Sequence, residues 1–172
     1  HSTTKKPLAR FFIGSFCETL LFQSPISLLI LNPHAPAPKR IQNIFFPSDL
    51  SNQSLKLFRK VLFRANKLQA KVTLYHKLAD DSLIWDKKTK EKCLNSPEVK
   101  KFKKWADKFE VPLNVVVEKH PDHLTQRILK LSRKSHQLIA LTTHTGRIGS
   151  FFVGSTPRQV VRMTTLPVWL IH

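Results

Sequence analysis

Two short stretches of the chain combine residue types that chemistry can use. The first is Phe46-Pro47-Ser48-Asp49-Leu50-Ser51, a polar turn that directly follows an apolar run. A carboxylate at such a place can accept hydrogen bonds from a sugar hydroxyl, or it can satisfy the free N–H groups that open the next helix; by itself the position reads as a cap. The second is Leu141 to Ser155, LTTHTGRIGSFFVGS, followed by Thr156. Its glycines let backbone N–H groups approach an anion, a helix beginning at Ser155 adds its N-terminal dipole, and Arg147 adds a guanidinium. The plain alternative is a glycine turn with Ser155 as N-cap and Pro157 in the first turn. Nucleophilic catalysis has no support, because Ser155 has no evident base and GSFFVGS is not a G-x-S-x-G elbow. His120 and His123 stand three apart with no third ligand in view, so no metal site is expected.

Charge sets the second constraint. Lys and Arg number 29 against 11 Asp and Glu in 172 residues, a net charge of +18. Such a surplus attracts nucleic acid, acidic lipid or other polyanions without identifying any of them. It is densest between Lys87 and Lys104, where eight lysines face only Glu91 and Glu98. That segment is either a solvated helix face or a weak site for nucleic acid or another polyanion, with Trp85 and Trp105 nearby as stacking candidates. Trp105 also fits an apolar helical stripe, which assigns it to the core. Hydrophobic residues make up 41% of the chain, enough for a packed domain. The longest aliphatic run, Leu28 to Leu31, is far short of the roughly 20 residues a membrane span requires. Cys17 and Cys93 form no CxxC or Cys/His cluster, which points to a reduced, cytoplasmic setting.

The elements that must position these residues follow from periodicity. Apolar runs at Ile41–Phe46, Lys71–His76, Leu113–Val117, Gln137–Leu141 and Pro167–Ile171 read as strands. Helical spacing of three and four appears in Ser51–Leu68, Pro97–Phe109, Pro121–Lys134 and from Ser155 to about Thr164. The alternation predicts a five-stranded parallel sheet with helices on both faces, and ligands in such a sheet bind beyond the carboxyl ends of the strands. Leu78–Ser96 is longer than an ordinary connection and is expected to be mobile.

Residues 11–31 also repeat at 151–171 with a constant offset of 140 and no gap, sharing Phe-Phe-x-Gly-Ser at the start and aliphatic residues later. Residues 1–32 thus read as the closing helix and strand of a truncated first unit, and the chain as a piece of a longer protein. Pro33, Pro36 and Pro38 mark residues 33–38 as an extended linker, and 39–172 as one complete domain.

The PSDLS turn after a β-run, the helix leading into Lys71–His76, the Leu138–His144 segment, FFVGS and the closing LPVWLI together resemble the universal stress protein family, over residues 39–172 and again over 1–32. The resemblance implies that family's five-stranded α/β sandwich, tandem copies, and a stress-related regulatory or binding role without catalysis. It also implies association through the final strand: residues 27–31 and 167–171 pair antiparallel in an intramolecular pseudo-dimer, or two chains pair as a homodimer. Family members that bind ATP use a Gly-x2-Gly-x9-Gly-Ser/Thr loop. Carried over, Ser48 and Asp49 lie on the nucleoside side, Lys77 on the adenine side, and Gly154, Ser155 and Thr156 at the closing Gly-Ser. Thr142 and Thr145 stand where the two leading glycines belong, and the spacer has eight residues instead of nine; Gly146, Arg147 and Gly149 offer a loop in a shifted register. The cofactor is accordingly none, or ATP with slow hydrolysis at most.

Overall fold

The structure is a computed structural model that describes residues 24, 26–33, 35–78, 87–142 and 155–172. In chain order its elements are β1 (Leu28–Ile30), β2 (Asn43–Pro47), α1 (Asn52–Leu68), β3 (Lys71–Lys77), α2 (Lys87–Leu94), α3 (Pro97–Lys108), β4 (Leu113–Glu118), α4 (Leu124–Ser132), β5 (Leu138–Thr142), α5 (Ser155–Met163) and β6 (Val168–Ile171). They form one sheet in the order β1-β6-β5-β2-β3-β4. Strands β2 to β6 run parallel, as helical crossovers require, and β1 pairs antiparallel with β6.

The sheet therefore has six strands where five were expected, because β1 joins the edge that β6 would otherwise leave open. The helix expected before β1 lies outside the described residues. So do residues 79–86 of the long connection after β3, whose second half forms α2, a helix without buried residues. Helix α4 is shorter than the apolar stripe suggested. It starts at Leu124 with His123 as N-cap, and the Asp122 N–H before it donates back to His120 Nδ1 at 3.1 Å.

Alternation along the strands divides the core between two layers. Ile44, Phe46, Val72 and Leu74 point to one face and pack against Phe58, Leu62 and Phe102 of α1 and α3. Phe45, Tyr75, Ile139 and Leu141 point to the other and meet Ile128 of α4 and Val160 of α5. Aromatic contacts knit the first layer, with ring centroids 5.1 Å apart for Phe46 and Phe58 and 4.9 Å for Phe58 and Phe102. Helix α1 ends where Gln69 takes a left-handed φ of 53° and Ala70 N–H returns 2.9 Å to the Ala65 carbonyl, a geometry usually given to glycine.

Candidate functional site at the carboxyl ends of the strands

From the central strand β2 the chain moves one way to β3 and the other way to β5, so strand order reverses between β2 and β5. Loops leaving these two strands diverge at their carboxyl ends and open a crevice, the usual ligand position in doubly wound sheets.

On the β2 side, a polar turn is fixed almost entirely by its own side chains. The Ser48 N–H donates 2.8 Å to the Tyr75 carbonyl, and the Ser48 hydroxyl accepts from Leu50 N–H at 3.0 Å and lies 2.6 Å from the Ser54 hydroxyl. Leu50 is carried into a left-handed conformation at φ 62°, which an unbranched side chain tolerates only when its surroundings hold it. Asp49 Oδ1 accepts from Ser51 N–H at 3.0 Å, and the N-cap is Ser51, whose hydroxyl accepts from Ser54 N–H at 3.1 Å. Asp49 was expected to cap α1; it instead closes the turn one step earlier, two residues being too few to reach the N–H groups inside the helix. The Ser48 carbonyl accepts from His76 Nδ1 at 2.9 Å, tying the end of β3 to this turn. Because a carbonyl only accepts, this bond places the proton on Nδ1. Burial pushes the His76 imidazole below its usual range, while the hydrogen bond to Ser48 and the nearby Asp49 charge oppose that shift.

Lys77 closes β3 and is only 8% exposed, an unusual burial for a lysine. Across the crevice Thr142 ends β5, is 2% exposed, and pairs with Ile171 of β6. Thr142 stands in regular strand and is not among the left-handed residues, so the backbone there has no need of glycine. Thr145, Gly146, Arg147 and Gly154 lie outside the described residues. Ser155 opens α5, and Thr156 behind it is half-buried.

A second polar cluster, at the end of β4, escaped sequence reasoning. Glu118 accepts from Arg127 Nε at 2.7 Å and from Arg127 Nη2 at 2.8 Å, a bidentate pair, and also from the Tyr75 hydroxyl at 2.9 Å. Burial alone would raise the Glu118 carboxyl, but the hydrogen bonds from Arg127 and Tyr75 outweigh it and hold the group below its usual range. The Tyr75 phenol is driven upward by burial and by Glu118. Arg127 Nη1 also lies 3.8 Å from Asp122, whose carboxylate is 3.4 Å from His120 Nδ1. The available signal was a lone Glu at the end of an apolar strand and an Arg beside the stripe of Leu124, Ile128 and Leu131, nine residues apart and joined only by the fold.

The fold and the crevice define a doubly wound α/β domain. The chain belongs to the universal stress protein family, whose model matches residues 40–172. A universal stress protein solved in complex with cAMP is similar to it with a TM-score of 0.58 and 17% identity, over 77% of this chain and 97% of that one. A universal stress protein from Archaeoglobus fulgidus in complex with dAMP gives 0.58 and 16%, over 76% and 98%. Another from Archaeoglobus fulgidus DSM 4304 gives 0.64 and 16%, covering 90% of this chain but 52% of its own length. No curated protein matches the sequence.

Proposed function

We propose that this chain is a non-catalytic stress-response module in which two universal stress protein repeats associate through their final strands within one polypeptide. The observation that carries this reading is the register of β1 on β6: Leu28 faces Leu170, Leu29 faces Trp169 and Ile30 faces Val168. Under the repeat offset of 140, Leu29 and Trp169 are equivalent positions, so the pairing relates the two copies by a local two-fold axis. The outer edge of β1 supports further association. Leu29 is 59% and Leu31 54% exposed, and a groove of about 790 Å³ floored by Leu29, Ile41, Phe63 and Trp169 opens beside α1. The test is the double substitution Leu28→Pro with Leu29→Pro, whose N–H groups point to opposite edges so that one ladder bond is lost in any register. Lower stability or a changed oligomeric state is expected; no change in either would defeat the reading.

A second reading, an adenine-nucleotide switch, is favoured by the two nucleotide-bound relatives and by the position of Ser48 and Asp49 at the switch point. Asp49 would meet the ribose, with Lys77 and Thr142 flanking the crevice; Ser155 and Thr156 would face the phosphates. Titration calorimetry with Mg-ATP and with cAMP, compared between the native chain and Asp49→Ala, checks it. Binding lost in the variant supports the switch, and equal binding or none at millimolar nucleotide refutes it.

A further inference from the structure

The two helical layers of the sandwich differ sharply in charge. Helix α1 carries Lys56, Arg59, Lys60, Arg64 and Lys67 and no acidic residue, and all five are exposed. Helix α3 packs beside it on the same face of the sheet and adds five exposed lysines against Glu98 and Asp107. The two helices are joined at their surfaces, where the Arg59 guanidinium lies 4.0 Å over the Trp105 ring and Asn66 Nδ2 donates 3.0 Å to the Phe109 carbonyl. The Arg127 pairs with Glu118 and Asp122 lie on the opposite side of the sheet, whereas the side-chain bonds of cations on α1 and α3 include two to main-chain oxygens, Lys60 Nζ to His172 and Lys103 Nζ to Leu94 at 3.3 Å. Cations that a fold leaves without carboxylates form a potential that draws a polyanion.

We infer that the joined faces of α1 and α3 bind the phosphodiester backbone of a nucleic acid. Lys56 to Lys67 span about 16 Å of helix, roughly five base-pair steps of a duplex. The aromatic rings of the face already carry cations: Trp105 lies under Arg59 with Lys108 Nζ at 5.1 Å, and exposed Phe63 has Lys67 Nζ at 4.6 Å and Arg64 at 5.8 Å. The face therefore senses phosphate charge and not base identity. A bilayer fits less well: the large exposed apolar side chains among the described residues include none on α3, so that half of the face has nothing to insert. The segment 1–23 does not complement the face either, since it holds Lys5, Lys6 and Arg10 against Glu18.

Binding of a duplex DNA and of a single-stranded RNA of unrelated sequences, followed by fluorescence anisotropy as salt is varied, tests the inference. Contact with about six phosphates predicts that affinity falls on the order of a thousandfold for the duplex, and roughly three-hundredfold for the single strand, between about 50 and 200 mM salt. Lys56→Glu with Arg64→Glu, or Lys101→Glu with Lys104→Glu, should weaken binding by about tenfold or more. Lys130→Glu with Lys134→Glu makes the same change in net charge on the other layer and should leave it within a few-fold. Equal losses from all three pairs would show that only total charge matters, and a flat salt response or preference for phosphatidylserine vesicles over both nucleic acids would equally overturn the assignment. Lys56 and Arg64 also line the groove beside β1, whereas the Lys101 and Lys104 pair does not, so that pair separates this inference from the association of the strands.

Discussion

Leu29 faces Trp169 across the antiparallel β1–β6 pair, and these two residues hold the same position in the two copies of the repeated segment. The strand register agrees with the offset of 140: Leu28 meets Leu170, the position matching Ile30, and Ile30 meets Val168, the position matching Leu28. Self-complementary contact of this kind is what two copies of one surface produce.

The Glu118–Arg127 pair should govern the acid side of stability. Its carboxyl is held below the ordinary value of 4.5 in the folded state, so its contribution is present above that value and is lost as pH falls through the lower, folded value. Glu118→Ala leaves Arg127, only 7% exposed, with the more exposed Asp122 at 3.8 Å as its remaining carboxylate, and a cost of about 3 kcal/mol is expected in urea unfolding at neutral pH. Glu118→Gln should flatten the loss of stability on acidification; an unchanged acid limb would rule out this role.

His76 should titrate below 6.5, because burial disfavours its charged form. Here the unfolded chain takes up the proton first, so stability declines as pH drops from 6.5 toward the folded value. Asp49 opposes the shift, and Asp49→Asn is expected to move the His76 resonance to a still lower pKa in an NMR titration. An unmoved resonance would separate the two residues.

The termini of α1 make opposite predictions. Ser51→Ala removes the hydroxyl that accepts from Ser54 N–H and should cost about 1 kcal/mol. Gln69→Gly relieves a side chain held at φ 53° and should add about 0.5 kcal/mol. Urea midpoints at constant slope report both.

Strand and helix order was legible because each layer leaves its mark as periodicity: Phe45 and Phe46 are adjacent in sequence yet serve opposite cores. The antiparallel partner of β6 was legible only through the repeat. The capping role of Ser51 was hidden beside Asp49, since either residue type caps and only the backbone path decides. Thr142 read as a loop position, but strand β5 runs one residue further than its apolar run and includes it. The Tyr75–Glu118–Arg127 network could not be read at all, because its members meet through the register of β3 on β4 and the docking of α4. Nor could the charged layer: α1 and α3 are separated in sequence by a strand and a long connection, and folding sets them side by side.

The pairing of the two repeat copies is tested most directly by a disulfide between its symmetric residues. In a chain with Cys17→Ser and Cys93→Ser, the double substitution Leu29→Cys and Trp169→Cys should oxidise to an intramolecular bridge. Cross-strand Cα atoms lie about 4.5 to 5.5 Å apart, within the span a disulfide closes. A monomeric species two hydrogens lighter by mass spectrometry, at protein concentrations too low for bimolecular coupling, is the predicted result. Free thiols, or disulfide-linked dimers in place of the internal bridge, would contradict it.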